Sequence, residues 1–320
     1  MSDKKTVRGR FAPSPSGRMH LGNLCCALLA WLSVRSKDGI MLLRIEDLDP
    51  DRCKREYAEQ LCRDLLALGL DWDEGPGMDG GNGPYYQSER RELFEKALMS
   101  LKEQRRIYPC FCTRAQLHAA SAPHAGETSF RYAGTCSRLT AEEAAQRALL
   151  RSPAMRFRVN RGMTEFDDLF LGHQALSADE LFGDFLVRRS DGVHAYQLAV
   201  TVDDAMMGVT EVVRGRDLLT STACQLQLFD ALGAAPPQYG HIPLLVNPDG
   251  RRLSKRERDL DVGALLDRFT PEQLCGKIAH LLKMIPQPES ITPKELIPLF
   301  KTADFSGEAI VVPDDFANTL

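Results

Sequence analysis

The residues best equipped for chemistry begin at Arg10, in the run Arg10-Phe-Ala-Pro-Ser-Pro-Ser-Gly-Arg-Met-His-Leu-Gly-Asn23. Two prolines, two serines and a glycine make residues 13–17 a loop. Residues 6–11 before it read as a strand. Residues 21–36 after it read as a helix with Leu24, Ala27, Leu28, Trp31 and Leu32 on an apolar face. A strand, a Pro/Gly turn and a helix start aim backbone N–H groups at a phosphate. His20 stands where the helix begins and can add a donor to the same anion. Taken alone, the run is equally a tight strand-to-helix turn with a surface histidine. A second polar run, Arg252-Leu-Ser-Lys-Arg256, follows the apolar stretch 242–246 and the turn Asn247-Pro-Asp-Gly250. It is a basic loop, with Arg251, Arg252, Lys255, Arg256 and Arg258 close together.

Two more groups stand out. Residues 40–45 read as a buried-type strand that ends in Glu46-Asp47-Leu48-Asp49. Acids at the carboxyl end of a parallel strand sit where open α/β sheets bind ligands. Glu46 could take the ammonium of an amino acid there; the same acids could simply solubilise a turn and favour the next helix start. Cys110 and Cys112 form a Cys-x-Cys pair, and Cys136 follows in Arg131-Tyr-Ala-Gly-Thr-Cys136. Three thiols from two loops suit a structural zinc ion, which wants four ligands. His118 and His124 lie between them, and Tyr132 precedes Cys136. Three buried free cysteines are the alternative, since cysteine packs as a small apolar group. Cys25, Cys26, Cys53, Cys62, Cys224 and Cys275 lack metal spacing and read as core thiols.

The elements that must position these groups follow in order. Helices are expected at 55–68, 88–103 and 140–150, the last opened by a Thr140/Glu143 capping box. Residues 75–83 are a glycine-rich loop, and 154–159 and 185–189 read as strands. Tyr196 opens a mostly apolar helix, 209–214 reads as a strand ending at Arg214, and 218–232 as a helix. One or two helices fit 261–283. Beyond them come Pro286, Pro288, Pro293, Pro298 and Pro313, with few periodic signals.

Composition sets the class. A chain of 320 residues can bury a sizeable core and hold two domains. Its 43% hydrophobic and 26% charged content is that of a soluble enzyme. A net charge of −4 gives no whole-molecule pull on nucleic acid, so RNA contacts would use local basic patches. No segment approaches the ~20 apolar residues of a membrane span. Met-Ser-Asp-Lys-Lys at the N-terminus has no apolar signal core. Nine cysteines in such a chain are expected as reduced thiols in a cytoplasm. Nothing calls for an obligate oligomer, and a monomer is expected.

Together, Pro13-Ser-Pro-Ser-Gly-Arg-Met-His-Leu-Gly22 and Arg252-Leu-Ser-Lys-Arg256 resemble the two signature motifs of class I aminoacyl-tRNA synthetases, known as HIGH and KMSKS. Arg10-Phe-Ala-Pro-Ser-Pro-Ser-Gly17, Leu43-Arg-Ile-Glu-Asp-Leu-Asp49 and Val212-Val-Arg-Gly-Arg-Asp-Leu218 resemble the glutamyl branch. The resemblance runs from about residue 8 to about residue 263. It implies an α/β fold: a Rossmann-like, doubly wound parallel sheet from residues 1–105 and 184–260. Residues 106–183 would be a zinc-bearing insertion that helps hold RNA, and 261–320 a small helical tail.

The resemblance also implies roles. Arg10, Ala12, Ser14, Glu46, Tyr196 and Arg214 would bind L-glutamate. Guanidinium forks suit carboxylates, and Glu46 would balance the ammonium; by composition alone each arginine could be an ordinary ion-paired residue. Pro13, Gly17, His20, Gly22, Asn23, Leu253, Ser254 and Lys255 would bind ATP with Mg²⁺, with His20 and Lys255 catalytic. Cys110, Cys112, Tyr132 and Cys136 would hold one structural zinc, with His124 as the substitute for Tyr132. About sixty residues follow Arg258, too few for a helical anticodon-reading domain. That short layout resembles the glutamyl-queuosine branch, which loads glutamate onto queuosine in the tRNA(Asp) anticodon stem-loop. Alternatives are a truncated synthetase charging a tRNA 3′ end, a non-tRNA adenylate-forming ligase, and a non-catalytic RNA-binding paralogue.

Overall fold

The computed structural model describes residues 6–113, 115–117, 131–251, 253, 260–301 and 303–318. Its strands are β1 (Arg8–Phe11), β2 (Ile40–Leu43), β3 (Ile107–Cys110), β4 (Ala154–Phe157), β5 (Thr164–Asp168), β6 (Gly172–Leu176), β7 (Leu186–Arg188), β8 (Glu211–Gly215), β9 (Gln238–Ile242), β10 (Leu244–Val246) and β11 (Ala309–Val311). The central sheet has the order β2-β1-β8-β9, and every neighbour is parallel. Helix α1 (Leu21–Arg35) carries the chain from β1 to β2 on one side, while β8 lies on the other side of β1. The strand order therefore reverses between β1 and β8. The crevice at their carboxyl ends is where such sheets bind ligands.

The sequence suggests one apolar face for α1, but eleven of its 15 residues are buried. A helix apolar on every side belongs inside. It lies against β1 and β8 and, on the far side, against the helix Pro293–Phe300. The approach to β1 is close: a Cβ on Gly9 would stand 2.2 Å from Val34 Cγ2, so only glycine fits there.

The insertion forms an antiparallel sheet in the order β3-β4-β7. It extends past the boundary expected at residue 183, because Leu186–Arg188 pairs with Met155 and Arg156. The hairpin β5–β6 separates from that sheet and leans on the central one. Leu169 N donates to Tyr239 O at 2.8 Å.

The C-terminal region is helical, at Val262–Leu266, Pro271–Leu281 and Pro293–Phe300. It is not a detached tail. Leu274, Ile278, Leu296, Phe300, Phe305, Val312 and Phe316 share one core with α1, and β11 pairs in parallel with β10. Among the described residues no helix is long and apolar enough to cross a membrane.

Candidate active site

A cleft of about 410 Å³ opens at the β1/β8 reversal. Arg10, Ala12, Ser14, Glu46, Tyr196 and Arg214 all line it. So do Pro13, Gly17, His20, Gly22, Asn23 and Leu253. Ser254 and Lys255 lie outside the described residues. The described residues on either side of them reach the same place: Leu253 lines the cleft, and Asp261 pairs by its backbone with His20.

His20 is the N-cap of α1. Its Nδ1 accepts from Gly22 N at 3.1 Å, while Asn23 Oδ1 accepts from His20 N at 3.4 Å, a reciprocal capping box. The cap therefore takes up two of the amide donors expected to meet a phosphate. In the neutral ring an accepting Nδ1 leaves the proton on Nε2. A Cβ on Gly22 would sit 3.1 Å from His20 Cε1, so the glycine lets the ring lie against the helix end.

The other end of the cleft is a network of buried charge. Arg44 Nη1 is 2.7 Å from Asp204 Oδ1, Nη2 is 3.1 Å from Glu46 Oε1, and Nε is 3.7 Å from Asp203 Oδ2. Arg90 Nε is 2.6 Å from Asp203 Oδ1, and Arg10 Nε is 3.5 Å from Asp204 Oδ1. Three guanidinium groups thus face three carboxylates. Burial opposes the Arg44 charge, but Asp204, Asp203 and Glu46 more than restore it. Burial also raises the Glu46 carboxyl above its ordinary range, and Arg44 and Arg10 offset only part of that. Arg44, Arg90, Asp203 and Asp204 went unassigned in the sequence. Their partners lie up to 160 residues away, and of the four only Arg44 falls in a run singled out by its residues, Leu43–Asp49.

Arg214 is different. It is 4% exposed, yet every described partner is neutral. Nε is 3.0 Å from His241 Nε2, Nη1 2.8 Å from Gln225 Oε1, and Nη2 2.7 Å from Thr222 Oγ1 and 3.2 Å from Leu218 O. The face of Tyr239 lies 4.8 Å from the guanidinium carbon. A buried charge of this kind calls for an anion.

Away from the cleft, Cys110, Cys112 and Cys136 place their sulfurs within 4.8 Å of one another. Cys112 Sγ and Cys136 Sγ are 3.6 Å apart, close to the ~3.8 Å that 2.3 Å bonds to a tetrahedral zinc require. The Tyr132 hydroxyl is 3.5 Å from Cys110 Sγ and 3.8 Å from Cys112 Sγ, and accepts from Cys136 N at 2.8 Å. Arg156 Nε donates to Cys110 Sγ at 3.3 Å. Burial pushes the Cys110 thiol up, but hydrogen bonds from Tyr132, the Cys112 amide and Arg156 bring it below its ordinary value. Burial and the neighbouring sulfurs push Cys112 up to about 11. Thiols so close ionise together only around a cation, so the donor set fits zinc. His118 and His124 lie outside the described residues. Of the other cysteines, Cys25, Cys224 and Cys275 are buried as expected, whereas Cys26, Cys53 and Cys62 are only half-buried.

A parallel sheet with its cleft at this reversal, lined by a histidine that caps the first helix, is the layout of a class I tRNA synthetase catalytic domain. Residues 6–268 match the family described as tRNA synthetases class I (E and Q), catalytic domain. The chain is 47% identical over 317 residues, 98% of both chains, to the glutamyl-Q tRNA(Asp) synthetase of Nitratidesulfovibrio vulgaris. It is 50% identical over 310 residues, 95% of each, to the protein of that name from Symbiobacterium thermophilum. Among solved structures, the glutamate-tRNA synthetase of Elizabethkingia anophelis superposes with a TM-score of 0.84 at 26% identity, over 98% of this chain and 69% of that one. The chain belongs to the class I synthetases for glutamate and glutamine, within the glutamyl-Q tRNA(Asp) synthetase branch, and is a ligase.

Proposed function

We propose that this enzyme activates L-glutamate with ATP and Mg²⁺ and transfers the glutamyl group to queuosine in the anticodon loop of tRNA(Asp). The observation that carries the amino-acid assignment is which arginines of the cleft touch a carboxylate directly. Arg10, Arg44 and Arg90 balance Glu46, Asp203 and Asp204. Arg214 touches only neutral partners, and the one carboxylate behind it, Asp168, stands a full imidazole ring away. Glutamate, with two carboxylates and one ammonium, supplies the direct anionic partner that Arg214 lacks. Glutamine does not, and would leave the guanidinium buried without an anion. The likeness to two relatives of that name over nearly their whole lengths supports the acceptor.

In this reading Arg214 and Arg10 hold the side-chain carboxylate, and Glu46 and Tyr196 hold the ammonium end. An oxygen of the α-carboxylate then attacks the α-phosphorus. A new P–O bond forms, the bond to the β-phosphate bridge breaks, and pyrophosphate leaves with its Mg²⁺. Side chains do no covalent work, so catalysis is positioning and charge stabilisation. His20 Nε2 would donate to the phosphates, and Lys255 would neutralise the leaving pyrophosphate. In the second step a hydroxyl of the modified base attacks the acyl carbon; the ester forms and AMP leaves. An unstacked loop base is a feature that proteins can reach and modify.

Zinc would be held by Cys110, Cys112, Cys136 and Tyr132. It would tie the chain around residues 110–112 to the loop ending at Cys136 and carry no chemistry of the reaction. A Cys112→Ser protein should lose stoichiometric zinc on metal analysis, with the cleft kinetics for glutamate and ATP preserved. Full zinc content in that variant would remove the assignment.

Glutamate activation should also weaken in acid. Glu46 must be ionised to hold the ammonium, and burial makes it take up a proton at higher pH than an ordinary carboxyl. The kcat/KM for glutamate, which reports the free enzyme, should therefore fall as pH drops, beginning above the usual carboxylate range. A Glu46→Gln protein should lose that limb of the profile. The assignment as a whole is tested by ATP–pyrophosphate exchange with glutamate, glutamine and aspartate: only glutamate should support rapid exchange.

A further inference from the structure

The hairpin β5–β6 falls within the segment expected to serve RNA, yet its end reaches His241, the residue behind Arg214 of the amino-acid pocket. Asp168, at the end of β5, is 5% exposed. Its Oδ1 accepts from the amides of Phe170 at 3.0 Å, Leu171 at 3.1 Å and His241 at 3.1 Å. Its Oδ2 is 2.5 Å from His241 Nδ1. His241 is fully buried on β9, stacked on Tyr239, and its Nε2 is 3.0 Å from Arg214 Nε.

This geometry fixes a proton. A guanidinium Nε–H is only a donor, so His241 Nε2 must accept. The ring proton then sits on Nδ1 and points at Asp168. Burial holds the imidazole below its usual pKa and so neutral. Burial also raises the Asp168 carboxyl, but His241 and the amides outweigh it and keep it ionised. The chain reads Asp168 carboxylate, Nδ1–H of His241, Nε2, then Nε–H of Arg214.

We infer that Asp168 and His241 are positioning residues: by fixing the imidazole tautomer they hold Arg214 in place for the side-chain carboxylate of glutamate. The inference rests on the glutamate reading above. Its physical sense lies in what a carboxylate beside Arg214 would do. A direct counter-ion would orient the guanidinium but cancel the charge that the substrate needs. A neutral acceptor orients it and leaves the charge for the ligand. The negative charge sits one ring further back, where it sets the tautomer without competing.

Asp168→Asn tests this. The oxygen that accepts three amides must stay an acceptor, so the carboxamide nitrogen would face His241 Nδ1. That carboxamide NH2 can only donate, so His241 Nδ1 would have to accept, and the ring proton would move to Nε2, head-on to the Arg214 Nε–H. In ATP–pyrophosphate exchange the expected result is a loss of roughly 10- to 100-fold in kcat/KM for glutamate, the size of an unsatisfied buried donor. The loss should fall mostly in KM, with the ATP KM within about twofold and the preference for glutamate over glutamine reduced. His241→Leu should do the same, and His241→Gln, which keeps a donor and an acceptor, should recover part of the loss. Unchanged glutamate kinetics and selectivity in both Asp168→Asn and His241→Leu would overturn the inference. So would parallel losses for glutamate and ATP. The tautomer can also be read in the unaltered protein from ¹⁵N imidazole shifts: a proton on Nδ1 is expected, and a proton on Nε2 overturns the proposal. A wild-type enzyme without glutamate-dependent exchange would instead defeat the glutamate reading itself.

Discussion

Arg214→Lys should lower kcat/KM for glutamate by about 10²-fold or more, almost entirely through KM, while leaving the ATP KM near its original value. The guanidinium serves His241, Gln225 and Thr222 with separate N–H groups, at 3.0, 2.8 and 2.7 Å. These contacts set its plane before the substrate arrives. A lysine ammonium keeps the charge but has three donors on a point and no fork. It cannot satisfy the acceptors of β9 and the neighbouring helix and still meet a carboxylate with two parallel bonds. Breaking a buried charged pair costs about 3–5 kcal/mol. Lysine retains the charge, so the lower end applies, near the 2.8 kcal/mol that corresponds to about 10²-fold. Near-normal glutamate kinetics in this variant would remove Arg214 from the site.

His20→Asn should separate two functions of one side chain. His20 caps α1 by accepting from Gly22 N, and its backbone N–H is returned to Asn23. Asparagine is among the best N-cap residues, so thermal stability should change by no more than a few tenths of a kcal/mol. What asparagine cannot do is reach a phosphate with an Nε2–H. Loss of one such preorganised donor typically costs about 10²–10³-fold, and kcat in pyrophosphate exchange should fall by that order. His20→Ala should lose the cap as well, adding about 1 kcal/mol of destabilisation. If the asparagine variant keeps full activity, His20 is a cap and nothing more.

Much of this was legible because it is local. Pro13, Pro15 and Gly17 can only be loop, and the apolar run after His20 can only be helix, so the strand–turn–helix unit followed from residue types. Cys110, Cys112 and Cys136 announced themselves by spacing, and the structure brings the three sulfurs within 4.8 Å. What escaped is long-range. The Arg44–Asp204 pair spans 160 residues and the His241–Asp168 pair 73, and no periodicity encodes such partnerships. The hairpin Thr164–Leu176 was missed because its outward positions carry Glu165, Asp167, His173 and Ala175 with little β-branched content to mark a strand. The prolines of the C-terminal region were misleading in another way. Pro293 stood in a stretch with few periodic signals, but it opens a helix, as does Pro271, each just after a capping threonine. Proline at that position loses no hydrogen bond and has the right φ already.

The most direct test of the central claim uses ATP, Mg²⁺ and labelled glutamate with two preparations of tRNA(Asp), one containing queuosine and one lacking it. The label is then located by ribonuclease digestion. The enzyme should attach glutamate only to the queuosine-containing RNA, with the label in the anticodon-loop fragment. Equal labelling of both preparations, or label released with the 3′-terminal nucleoside, would contradict that claim.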